Sequence, residues 1–289
     1  MVSEFQTEIT LMGTGTSIGV PVVGCDCAVC TSENPRNHRR RAGVHVRAPE
    51  GEFVIDTGPE LRLQLLQSGA RMVRAALYTH AHADHIMGLD DLRIFAFRLE
   101  KELVATLREE AELRGEDFDA DSASVDSDIP LFCEAAVEDS LRETFQYAFA
   151  DRSQQSHRFA APRLKFKRIE PGRSFELLGQ SVLPIRLHHG KLPILGFRIG
   201  NTALCTDVST IPAESRELLR GVETLVIDAL RYDPHPTHLS VEQAVQWGRK
   251  LGVQRTILTH MSHDLNYDTL SSELPDGVEP GWDGLRLIA

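Results

Sequence analysis

Nothing in this 289-residue chain approaches the ~18 consecutive apolar positions of a membrane-spanning helix. Its first residues, Met1-Val2-Ser3-Glu4-Phe5-Gln6, lack a basic start followed by an apolar stretch. No secretion signal is therefore predicted, and a cytoplasmic location with no membrane partner is the expectation. Cysteine is scarce: there are five, and Cys25, Cys27 and Cys30 crowd too closely for a disulfide framework. Cys133 and Cys205 stand in apolar, strand-like surroundings and are expected to be small buried hydrophobes. Positive charge is also short, with a formal net charge of −11. Residues 100–128 hold eleven acids against three bases, so most of the excess is concentrated there. Neither that segment nor the remainder has the basic balance of a nucleic-acid binder. A small anionic substrate stays compatible, because bound metals supply positive charge that the net charge omits. The glycine-rich Gly13–Gly19 stretch lacks the Gly-Lys-Ser/Thr ending of a phosphate-binding P-loop, and a tight turn is the better reading.

What is present is a 42% hydrophobic chain with alternating strand and helix patterns, enough to bury a sizeable core. Strands are predicted at Glu8–Met12, Gly43–Ala48, Glu52–Asp56, Ala75–Thr79 and Ile129–Cys133. In the second half they are predicted at Leu164–Ile169, Ser174–Leu177, Ser181–Leu187, Gly196–Ile199, Thr202–Thr206, Thr224–Asp228 and Arg255–Leu258. Helical spacing marks Glu60–Ser68, closed by Gly69, and Leu89–Leu99 with a charged continuation to about Arg114. Val137–Ala148, Pro212–Gly221 and Val241–Leu251 are also predicted helices. Two mixed sheets with helices outside them explain this order. The acidic run at about 100–128 reads as an insertion, its second half, Glu116–Asp128, a flexible solvated loop. Arg39-Arg40-Arg41 reads as a solvated basic run.

The most informative stretch is Thr79-His80-Ala81-His82-Ala83-Asp84-His85. A strand ending in such a loop projects imidazoles at i and i+2 to one side, and a carboxylate and a third imidazole follow for a second ion. Three or four N/O ligands with an open position let a protein activate water at neutral pH. Cys25-x-Cys27-x-x-Cys30 is a metal signal of another kind: three close thiolates suit zinc and need a fourth ligand.

The H-x-H-x-D-H loop resembles that of the metallo-β-lactamase superfamily. Gly13-Thr14-Gly15-Thr16-Ser17, Gly19-Val20-Pro21 and Gly24-Cys25-Asp26-Cys27-Ala28-Val29-Cys30 resemble the N-terminus of its PhnP-type phosphodiesterases. The resemblance implies a single α/β (α+β) domain over 1–289, an αββα sandwich. It also implies a dinuclear centre that takes manganese or zinc, with His80, His82 and His189 on one ion and Asp84, His85 and His260 on the other. Asp207 would lie between them with a bridging hydroxide, Asp84 sharing in catalysis as well as binding. His263 would complete a structural zinc site with Cys25, Cys27 and Cys30. His238 resembles the branch's catalytic histidine, a proton donor titrating near neutrality. His188 is expected to be structural, His235 exposed, and Asp56 and Asp228 to orient ligand histidines.

The activity so implied is hydrolysis of a small cyclic or diester phosphate, such as a phosphoribosyl 1,2-cyclic phosphate; a homodimer is compatible with it. A tRNA 3′-processing nuclease shares the ligands and the His188-His189-Gly190 segment, but the acidic insertion would repel phosphates. A thioester or lactone hydrolase shares the loop while generally lacking the three-Cys site. A non-catalytic PqqB-like protein shares the cysteines while usually lacking the full His/Asp set.

Overall fold

The computed structural model describes residues 6–120, 123, 125–151 and 160–289. The N-terminal residues 1–5 and Asp121 of the acidic run, both used above, lie outside them. Among the described residues two seven-stranded sheets pack face to face. The first contains β1 (Glu8–Gly13), β2 (Gly43–Ala48), β3 (Gly51–Ile55), β4 (Val73–Leu77), β5 (Ile129–Cys133) and β6 (Leu164–Arg168) in that spatial order. The second contains β7 (Phe175–Leu177), β8 (Gln180–His189), β9 (Leu192–Ile199), β10 (Thr202–Cys205), β11 (Thr224–Asp228), β12 (Arg255–Thr259) and β13 (Val278–Pro280), also in order. A final strand, β14 (Arg286–Ile288), returns to the first sheet and pairs antiparallel with β1.

Each sheet is antiparallel on one side and parallel on the other. Parallel strands covered on both faces read as continuous apolar runs, as Phe53-Val54-Ile55 and Leu225-Val226-Ile227 do. The inter-sheet core joins Ile9, Leu11, Phe53, Ile55 and Leu77 to Phe197, Ile199, Val226 and Ile257. Full burial of each such side chain stabilises by about 1.5–3 kcal/mol. Helices cover the outer faces. α1 (Leu61–Ser68), α3 (Arg93–Arg114) and α4 (Ala135–Thr144) back the first sheet; α6 (Ala213–Leu218) and α7 (Val241–Leu251) back the second. Between α1 and α3 a single turn, α2 (Ala83–Ile86), carries Asp84 and His85.

Ser240 caps α7 with a reciprocal capping box to Gln243, and Gly252 ends it at φ 68°. The helix sits so close to β12 that a Cβ on Gly248 would stand 2.2 Å from Thr256 Oγ1. Among the described residues no helix is long and apolar enough to cross a membrane.

Three expectations need correction. The 137–148 helix breaks at Phe145 into α4 and a short α5 (Gln146–Phe149). The second half of the acidic run is not free throughout. The first half is the end of α3, in line with the charged helical continuation to about Arg114, and Glu100 is buried 3.3 Å from Arg163. At its far end Asp126 pairs with Lys165 at 2.5 Å and Asp128 with Arg163 at 3.3 Å, so basic residues beside and on β6 hold it. Arg39 does not belong to a solvated basic run: it is 1% exposed. Its guanidinium donates to the carbonyls of Ser262 (2.9 Å) and Leu265 (2.7 Å) and to Asn37 Oδ1 (3.4 Å). A buried cation persists only with such partners. Burial nonetheless pushes Arg39 down to about 10. Charge pattern along the chain could not reveal carbonyls supplied from more than 220 positions away.

Candidate metal centre

Strand ends of the two sheets build the centre. The buried run of β4 continues through Tyr78, Thr79 and His80, and the chain then turns into α2. Asp56 follows β3, Asp207 follows β10, and His260 follows β12. All three adopt left-handed backbone angles, φ 63°, 55° and 58°. Asp and His tolerate that region better than most residues, and such strain gathers at functional sites.

The structure brings His80, His82, Asp84 and His85 together with Asp207 and His260. The His80 ring lies 4.5 Å from His82 and 5.8 Å from His189, and the His82 ring 5.2 Å from His189. On the other side, His85 Nε2 is 3.2 Å from both Asp84 Oδ2 and Asp207 Oδ2, and His260 Nε2 is 3.1 Å from Asp207 Oδ1. Ligand atoms about 2.1 Å from a tetrahedral cation stand about 3.4 Å apart, which these distances match. Among the described residues, the buried His80 Nε2, His85 Nε2 and both ring nitrogens of His260 make no hydrogen bond. Buried imidazole nitrogens and carboxylates crowded together without hydrogen bonds are costly unless cations, protons or metal ions, join them. The donor set therefore fits divalent metals.

Electrostatics follow the same geometry. Burial, followed by His85, lowers His80 well below its ordinary value. Burial also works against charge on His85 and His260, but the Asp207 carboxylate overrides it. His85 is held well above its usual value and His260 is raised to about 10. Despite burial, His260 and His85 in turn hold Asp84 and Asp207 well below the usual carboxylate range.

Outer partners orient these rings. Asp56 Oδ2 accepts from His85 Nδ1 at 2.7 Å, while its carboxylate also accepts from Thr79 N and Oγ1 at 2.9 and 2.8 Å. His189 Nδ1 donates to the Thr237 carbonyl at 2.8 Å. Asp228 orients His238 rather than a member of the expected ligand set, its Oδ2 lying 2.7 Å from Nδ1. His238 stacks 4.8 Å from His260 and lies 4.6 Å from His189. Burial and then His260 push it down to about 4, unlike the ordinary near-neutral imidazole expected at this position. The His188 backbone bonds Thr210 and Ser209, a structural part. His235 is half-buried rather than exposed, because Thr237 binds its ring. The local signal was there in His-Pro-Thr-His, but which residue folds back was not.

The cysteine cluster forms apart. His263 Nδ1 lies 3.3, 3.5 and 3.6 Å from the Sγ atoms of Cys25, Cys27 and Cys30. Ligands of a tetrahedral zinc, with Zn–S 2.3 Å and Zn–N 2.1 Å, stand about 3.6 Å apart, again matching. The Cys30 backbone N–H, followed by His263, lowers Cys27 to about 6, whereas burial raises Cys30 to about 11.

Residues 52–261 match the family described as the β-lactamase superfamily domain. An octanoyltransferase of Porphyromonas gingivalis is 34% identical over 282 residues, 96% of this chain; the chain spans about half (51%) of that relative's length. The crystal structure of a new diphosphatase from the PhnP family superposes with a TM-score of 0.82 at 35% identity, covering 99% of this chain and 98% of the other. A ribonuclease Z of Mycobacterium sp. is 24% identical over 273 residues, covering 88% of this chain and 83% of its own.

Proposed function

This chain belongs to the β-lactamase superfamily, on its PhnP-like branch, and is a metal-dependent hydrolase; from that premise we propose that it cleaves a small phosphodiester or diphosphate at a dinuclear centre. One ion is assigned to His80, His82 and His189, the other to Asp84, His85 and His260, with Asp207 reaching both. The supporting observation is the convergence of buried, unpartnered imidazole nitrogens on two carboxylates from opposite sheets. When bound, such cations polarise phosphoryl oxygens and activate water.

The chain's own groups supply the rest. Asp228 holds His238 at Nδ1 and leaves Nε2 for the departing oxygen; a ring held down to about 4 must first gain a proton there, as the negative charge of a bound phosphate would favour, before it can give one. His238→Ala should keep the metal content and slow an alkyl phosphodiester about 100-fold or more. Bis(p-nitrophenyl) phosphate, whose leaving group needs little protonation, should slow far less. Loss of metal in this variant, or equal slowing of both esters, would refute the assignment.

Asp56 should act through His85. Asp56→Ala leaves the His85 and Thr79 donors buried without an acceptor, and second-ion affinity should fall about 10- to 100-fold. Chelator competition measures it, and unchanged affinity removes Asp56 from this role.

One finding supports a second reading. The Porphyromonas gingivalis relative is named for acyl transfer, which keeps a thioester hydrolase in view. Parallel assays with a phosphodiester panel and an octanoyl thioester decide between them, and thioester turnover alone would displace the phosphoryl reading.

A further inference from the structure

We propose that His235, held by Thr237, is a substrate-positioning donor that reads a phosphoryl oxygen on the leaving half of the substrate. This rests on the phosphoryl reading above. Thr237 donates twice to His235 Nδ1, from its backbone N–H at 3.3 Å and from its hydroxyl at 3.1 Å. A nitrogen accepting from a backbone N–H carries no proton of its own. The ring is therefore neutral, and its hydrogen is on Nε2.

The ring itself is placed by its neighbours. His235 lies 5.2 Å from His238, which itself stacks 4.8 Å from His260. His235 thus adjoins the proposed proton donor on one side. If His238 faces the departing oxygen, a donor beyond it meets what lies past that oxygen. Arg231 adds positive charge near His235 while its guanidinium is held by the carbonyls of Asp233 (3.3 Å) and Pro234 (3.1 Å). A neutral donor beside an arginine suits an anionic oxygen, not an alkyl or aryl leaving group.

Thr237 couples this donor to the centre, since its carbonyl accepts from His189 Nδ1. The approach is close because residue 190 is glycine: a Cβ there would stand 2.9 Å from Thr237 Cγ2, at φ 61°. One residue thus orients a proposed ligand through its carbonyl and a proposed substrate contact through its two donors.

The test uses the metal-loaded protein, with methylenebisphosphonate and inorganic phosphate as calorimetric probes. His235→Phe should weaken the bisphosphonate about 10-fold, the worth of one hydrogen bond to a charged group, and leave phosphate and metal content unchanged. Thr237→Val should weaken it less, and Thr237→Ser, which keeps the hydroxyl, should restore most of the affinity. KM for a nucleoside diphosphate should rise with His235→Phe while bis(p-nitrophenyl) phosphate is turned over as before. Equal bisphosphonate affinity in wild type and His235→Phe overturns the proposal, as does loss of metal. Wild-type protein that hydrolyses neither phosphoester defeats the broader reading instead, and the calorimetry still reports on His235.

Discussion

Replacing Asp207 with alanine should lower phosphoester turnover by about 1,000-fold or more, the largest effect expected of a single substitution here. The carboxylate is 2% exposed and contacts His85 Nε2 through one oxygen and His260 Nε2 through the other. Without it, two buried imidazoles lose the charge that holds them raised, and the two proposed cations lose their shared anion. Elemental analysis should show fewer metals per chain while zinc at the cysteine cluster persists, and circular dichroism should remain native. Asp207→Asn keeps the shape but not the charge and should rescue little. A variant with full metal content and wild-type turnover would remove Asp207 from the centre.

The second large effect belongs to the cysteine cluster. Cys27→Ser or His263→Ala should release one zinc per chain and destabilise the fold by roughly 3 kcal/mol or more, since structural zinc contributes directly to folding. For a domain of this size that amounts to a drop of about 6–12 °C in Tm. Turnover should fall as well, because His263 is three residues from His260 on one loop. His263→Cys should keep the zinc and most of the stability, as tetrahedral sites accept four thiolates. Retention of zinc and of the wild-type Tm in His263→Ala would show that the cluster is not a metal site.

Much of this was legible in the chain because metal chemistry demands dense, local donors. Thr79–His85 puts four candidate ligands within seven positions on the end of an apolar strand. His189, Asp207 and His260 were legible only through resemblance, since a lone His or Asp at a strand end carries no signal of its own. Arg39 shows what pattern reading misses: its partners are carbonyls, which every residue has, and only the folded chain says whose they are. The same holds for β13 and β14, short strands whose existence depends on the neighbours they pair with. The left-handed angles of Asp56, Asp207 and His260 left no trace in composition, although Asp and His are among the residues that bear them.

The proposed ligands come from both layers: His80, His82, Asp84 and His85 follow β4, while His189, Asp207 and His260 belong to the ends of β8, β10 and β12. Cations held between them would rivet one layer to the other at the rim of the hydrophobic interface. Sliding of the layers would then stretch coordination bonds before it exposed any apolar surface. Chelation should loosen the sandwich from that edge inward, so that added metal protects the hydrophobic centre, some distance away, from unfolding.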